Sequence, residues 1–148
     1  MSNETLRILL VDDDEDDRQF FADALESLDL NTELTQLKDG KACIEFLDEE
    51  IDNLPNLIFL DLNMPIMNGF QCLEKIRDNQ DLINVIVAIY STSSSEKDIE
   101  ETFNKGANIY IKKPSSFKDL KNSLKQVIKT NWTYHMNDFN KQNFLLKV

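Results

Sequence analysis

One hundred and forty-eight residues is the length of one ordinary domain, and 41% hydrophobic with 29% charged residues is a globular composition, so disordered and collagenous classes drop out. No apolar run approaches the ~18 residues of a spanning helix, and residues 1–7 lack a signal peptide's basic start and apolar stretch, so a cytoplasmic chain with no membrane partner is expected. Sixteen basic against 27 acidic residues give a net charge of −11, which argues against nucleic acid as a direct partner.

The run Leu6–Val11 is apolar and ends abruptly in acid, which predicts a strand buried on both faces. Phe21, Ala24, Leu25 and Leu28 then recur at helical spacing. Thr32–Leu37 reads as a weaker second strand, Asp39-Gly40 as a turn, and Cys43, Phe46 and Leu47 as the stripe of a second helix. Leu57–Leu60 is a third strand, and past a loop with Pro65 and Gly69 the residues Phe70, Leu73 and Ile76 line a third helix. Residues 85–90 form a fourth strand. Ser95 with Asp98 and Ser116 with Asp119 are capping-box signatures. The first opens a helix with Ile99 and Phe103 inside that stops at Gly106. The second opens a last helix with Phe117, Leu120, Leu124, Val127 and Ile128 on one face, after a fifth strand at 108–111. Five βα units in succession predict a doubly wound α/β domain, a five-stranded parallel sheet with helices on both faces. Residues 1–130 account for it; residues 131–148, with Trp132, Tyr134, Phe139 and Phe144, are an extension too short for a second domain.

Cys43 and Cys72, 29 positions apart beside a single histidine, fit neither a zinc site nor a disulfide framework and read as small buried thiols. Charge is uneven: residues 1–53 hold 17 acids and four bases, residues 105–148 nine bases and two acids.

In open α/β sheets the ligand lies beyond the carboxyl ends of the strands. Strand one ends in Asp12 and Asp13, strand three in Asp61, strand four in Ser91 and Thr92, strand five in Lys112, Lys113 and Pro114. Carboxylates so clustered repel one another unless a carboxyl pKa rises or a cation binds. A donor set made only of oxygen suits Mg²⁺, with Mn²⁺ also accommodated. Such a metal, a lysine and a hydroxyl can together receive a phosphoryl group whose acceptor is a carboxylate. Asp14 to Asp17 are read separately, as first-turn helix acids favoured by the macrodipole.

Residues 57–65 with Met67, Asn68 and Gly69, together with Asp12-Asp13, Ser91-Thr92 and Lys113-Pro114, resemble the receiver domain of two-component response regulators over roughly residues 6–130. The stand-alone receivers that partner phytochrome-type histidine kinases are similar in their acid-rich first helix and terminal extension. The resemblance implies the flavodoxin-like strand order 2-1-3-4-5. It implies Asp61 as phosphoacceptor, Asp13 as a direct Mg²⁺ ligand, Asp12 acting mainly through water, and the Asn63 carbonyl as a further ligand. It makes Ser91 the switch hydroxyl, Lys113 the phosphoryl partner, Tyr110 the aromatic that follows phosphorylation, and the Lys113-Pro114 bond cis. Departures are Asn68 where aspartate is commoner, Thr92 where alanine is frequent, and the additional Lys112, which reads as a surface residue.

The partners implied are a sensor histidine kinase or phosphotransfer protein upstream and an unidentified protein downstream, with no enzymatic turnover beyond the chain's own phosphorylation and dephosphorylation. Lys118, Lys121, Lys125 and Lys129 recur on one face of the last helix, and Glu96, Asp98, Glu100 and Glu101 crowd the fourth. A phosphorylation-dependent homodimer across the surface of fourth helix, fifth strand and fifth helix is therefore expected, with Trp132, Tyr134 and Phe139 adding apolar contact. A haloacid-dehalogenase-like phosphatase would need a different first-strand motif, and here Asp14 is followed by Glu15. A flavodoxin-like flavin protein would need hydroxyls where carboxylates stand. A phosphorylation-independent interaction module is the alternative that remains.

Overall fold

The computed structural model describes residues 5–130 and 144–146. The expectations placed on Trp132, Tyr134 and Phe139 lie outside the described residues. The elements are β1 (Leu6–Val11), α1 (Glu15–Ser27), β2 (Thr32–Leu37), α2 (Gly40–Glu49), β3 (Leu57–Leu60), α3 (Gly69–Asp78), β4 (Ile86–Ser91), α4 (Glu96–Asn104), β5 (Ile109–Lys112) and α5 (Phe117–Lys129), with a 3-10 turn at Gln80–Leu82. The strands form one parallel sheet in the order β2-β1-β3-β4-β5. This is the expected doubly wound, flavodoxin-like architecture. None of the described helices is long and apolar enough to cross a membrane.

Alternate residues of the central strands feed two cores. Leu9, Val11, Ile58, Leu60, Val87 and Ile89 pack with Cys43, Leu47, Leu73 and Ile76 of α2 and α3. Ile8, Leu10, Phe59, Ala88 and Tyr90 pack with Phe21, Leu25, Leu120 and Leu124 of α1 and α5. Phe21, Phe59 and Tyr90 meet edge to face, with centroids 4.9, 5.6 and 6.3 Å apart. Cys43 and Cys72 are free and buried, as expected. Arg77 of α3 clamps the far edge: its guanidinium donates to the carbonyls of Leu82, Val85 and Gly106 and to Asn108 Oδ1. Gly106, at φ +97°, ends α4 in a backbone state that L side chains rarely adopt.

Several local expectations need correction. Ser95 and Ser116 cap α4 and α5, accepting from Asp98 N–H and Asp119 N–H, but neither box closes. The Asp98 carboxylate instead accepts from the Ser93 hydroxyl, and Ser95 N–H is taken by Ser93 Oγ. The reciprocal box is at α3, between Asn68 and Gln71. Phe117 opens α5 at its solvent end and stays 40% exposed, edge-on to Phe20, rather than joining the buried face. No peptide bond among the described residues is cis, so Lys113-Pro114 is trans, the intrinsically lower-energy amide. Lys121, Lys125 and Lys129 line a crevice with Ser27, Leu28 and Leu30 at the end of α1.

Residues 144–146 return to the sheet. Tyr110 N–H donates to the Phe144 carbonyl and Leu146 N–H to the Tyr110 carbonyl, both at 2.9 Å, forming a parallel bridge beside β5. The Phe144 ring is fully buried between Phe103 and Tyr110, with centroids 5.3 and 6.1 Å away.

The β3–α3 loop is tied by close backbone approach at Gly69, where a Cβ would stand 2.2 Å from the Asp61 carbonyl oxygen. Gly69→Ala must move the backbone that carries Asp61. We expect a loss of about 1–3 kcal/mol in urea denaturation with an unchanged m value.

Candidate functional site

Strand register builds the site. Val11 lies opposite Leu60, so Asp12 and Asp61, the next residues on β1 and β3, leave the sheet side by side. Asp61 N–H donates to the Val11 carbonyl at 3.0 Å. Lys113 follows β5 and is held by its N–H to the Ser91 carbonyl at 2.8 Å. Its chain runs over the Tyr90 ring, Nζ 5.4 Å from the centroid. The ammonium then lies 2.8 Å from Asp12 Oδ2, 2.9 Å from Asp17 Oδ2 and 3.4 Å from Asp61 Oδ2.

Asp12 is fully buried and Asp61 is 6% exposed. Each carboxylate has a directed backbone donor: Asp14 N–H to Asp12 Oδ1 at 3.0 Å, and Leu62 N–H to Asp61 Oδ1 at 2.8 Å. These do not offset desolvation. Burial raises the Asp12 carboxyl above its ordinary range, against the pull of Lys113. Burial, with the charge of Asp12, raises Asp61 to about 6 although Lys113 and the backbone N–H groups of Leu62 and Asn63 oppose it. Burial works against the Lys113 ammonium, but its bonds to Asp12 and Asp17 prevail and leave its pKa raised.

Asp12, Asp13 and Asp61 each present a carboxylate oxygen, all within 4.8 Å of one another. Asp12 Oδ2, although ion-paired to Lys113, is buried without a well-directed hydrogen bond. Asp13 is exposed, opening the trio to solvent. Three hard oxygen donors, one short of hydrogen bonds, fit a small divalent cation that keeps some of its waters. The Asn63 side chain is exposed and its residue adjoins this edge.

Ser91 is buried, and its Oγ accepts from Ser93 N–H at 3.1 Å. The Tyr110 ring is buried too, its hydroxyl donating to the Ser93 carbonyl at 2.9 Å. Thr92 and Lys112 are exposed. Thus Asp12, Asp13, Asp61 and Lys113 converge, while Ser91 and Tyr110 form a linked pair beside them. The sequence reading missed Asp17, assigned there to the helix first turn, and Arg18, whose guanidinium donates to the Asp12 carbonyl at 2.7 Å. The available signal was spacing: Asp17 and Arg18 stand four and three residues before the buried Phe21, on the same side of α1.

Residues 8–125 match the family model described as response regulator receiver domain. The response regulator Rcp1 of Synechocystis sp. (strain ATCC 27184 / PCC 6803 / Kazusa) is 37% identical over 123 residues, covering 80% of this chain and 84% of that protein. The Mn(2+)-bound structure of response regulator Rcp1 superposes with a TM-score of 0.74 at 35% identity, covering 85% of this chain and 93% of that one. The phosphorylated cyanobacterial phytochrome response regulator RcpA gives 0.76 at 30% identity, over 84% and 91%.

An Asp61 pKa of about 6 in the fold, against 3.8 for the free side chain, has a defined sign. The folded state binds the proton more tightly, so the associated stability is present at low pH and lost as pH rises from about 4 through 6. Removing the charge by Asp61→Asn is expected to raise stability by about 2–3 kcal/mol at pH 7.5 and by almost nothing at pH 4. Denaturant titrations at the two pH values, without divalent ions, check this; a pH-independent difference would contradict the raised pKa.

Proposed function

We propose that this chain, which belongs to the response regulator receiver domain family, accepts a phosphoryl group on Asp61 from a histidine kinase or phosphotransfer protein. The observation that carries the reading is a buried carboxylate, Asp61, that belongs to an oxygen trio fit for a divalent cation and also lies 3.4 Å from the Lys113 ammonium.

In this reading Asp12, Asp13, Asp61 and the backbone carbonyl of Asn63 hold Mg²⁺, with Mn²⁺ an alternative. When bound, the ion supplies positive charge against the phosphoryl oxygens. An Asp61 carboxylate oxygen attacks phosphorus; the O–P bond forms as the N–P bond of the donor phosphohistidine breaks, and the imidazole keeps the electron pair and is protonated from solvent. Leu62 N–H steadies the other oxygen of the nucleophile. Lys113, already 3.4 Å from Asp61 Oδ2, pairs with one oxygen of the transferred group. Dephosphorylation is attack of water on phosphorus, which releases inorganic phosphate and restores the carboxylate. The chain thereby assists its own phosphorylation and dephosphorylation and turns over no separate substrate.

Ser91 would donate to a further phosphoryl oxygen. Its Oγ would then leave Ser93 N–H, the same residue whose carbonyl receives Tyr110, which links the acceptor to the face carrying α4 and β5. We assign residues 1–130 as the phosphoacceptor unit in the cytoplasm and 131–148 as its extension. The altered face would bind a downstream protein or a second copy.

Wild type incubated with acetyl phosphate and Mg²⁺ is expected to gain the mass of one phosphoryl group, and Asp61→Asn none. Equal labelling of both would move the acceptor elsewhere, and no labelling of wild type would favour the phosphorylation-independent module. Asp13→Asn is expected to weaken Mg²⁺ binding about tenfold or more by calorimetric titration, because one of few charged ligands is lost. Unchanged affinity would place the metal away from the trio.

A further inference from the structure

Lys113 Nζ is shared among three carboxylates, and they are not equivalent. Asp12 and Asp61 belong to the trio whose oxygens lie within 4.8 Å of one another, whereas Asp17 does not. A cation bound to the trio draws on the charge of Asp12 and Asp61 and repels the ammonium, so those two contacts weaken when the site is loaded. Asp17 keeps its full charge for Lys113. It also stands on the first turn of α1, where Asp14 Oδ1 takes the Asp17 N–H at 3.0 Å. Arg18, the next residue, ties the same turn to the Asp12 carbonyl. The carboxylate at 2.9 Å from Nζ, although its side chain is 41% exposed, is therefore offered from a fixed backbone. Its neighbours Asp14, Glu15 and Asp16 are exposed.

We propose that Asp17 is a positioning residue for Lys113, holding the ammonium beside Asp61 while the metal ligands are engaged, so that it is in place for the phosphoryl oxygen. The proposal rests on the phosphoacceptor reading above. It sets Asp17 apart from Glu15 and Asp16, which are exposed on the same turn of α1.

The test compares Asp17→Asn and Asp17→Glu with Asp16→Asn, which removes the same charge from the same helix turn without a contact to Lys113. Two quantities are read: Mg²⁺ affinity by calorimetry without phosphodonor, and the initial rate of acetyl phosphate labelling at saturating Mg²⁺. Without Asp17 the ammonium leans on Asp12 and Asp61 and competes with the cation. Asp17→Asn is therefore expected to weaken Mg²⁺ about threefold more than Asp16→Asn does. It is also expected to slow labelling about tenfold, against less than twofold for Asp16→Asn, with Asp17→Glu recovering most of the rate. The proposal is overturned if Asp17→Asn follows Asp16→Asn in both quantities. Faster labelling in Asp17→Asn also overturns it, since Asp17 would then restrain the lysine. If wild type takes no label, the phosphoacceptor reading fails, and this role falls with it; if wild type labels normally and the variants coincide, only the role of Asp17 falls.

Discussion

Pairing Val11 with Leu60 forces Asp12 and Asp61 to emerge together at the buried ends of adjacent strands, and the rest of the site answers that juxtaposition. Two carboxylates out of water repel each other, and the backbone N–H groups that reach them do not compensate. The far side of the sheet supplies what is missing. Ser91 pairs with Lys112 across β4 and β5, and the next residue, Lys113, reaches back over Tyr90 to lie among the acids. A charge near the end of the chain thus neutralises charges near its start, so the acidic front and basic back of the sequence meet at one point. The balance is incomplete: burial and the charge of Asp12 still hold the Asp61 carboxyl above its ordinary range, a cost that added positive charge at the site would relieve.

Much of this was legible in the residues. β1, β2 and β3 have the bounds expected from their composition because polar residues bracket each run. β4 and β5 are each displaced one residue from the expected 85–90 and 108–111, starting at Ile86 and Ile109 and ending at Ser91 and Lys112, which are polar yet still hold ladder positions. The convergence of Asp12, Asp61 and Lys113 follows from the strand-end rule alone. Asp17 was hidden for a physical reason. Inside six consecutive acids, local rules see helix N-terminal charge, and the partner that singles it out is 96 positions away. Likewise, Asn68 and Gln71 close a capping box that uses amide side chains, whereas at α4 the Asp98 carboxylate is spent on the Ser93 hydroxyl. Nothing in the composition of residues 131–148 says that Phe144 turns back into the core.

That return has a consequence for the sheet as a whole. A parallel sheet that does not close leaves two outer strands whose unpaired N–H and C=O groups can template the addition of another chain. β2 defends its side by composition, with Glu33, Thr35 and Gln36 along a partly wet strand. β5 has less of this defence, because Ile109, Tyr110 and Ile111 are buried and Lys112, at its end, is its one exposed residue. Residues 144–146 occupy both backbone groups of Tyr110, at the middle of that strand, and seat an aromatic ring against it. The chain blocks its own vulnerable border with its own end, so protection against edge-to-edge aggregation depends on a segment far from the charged site at the strand tips.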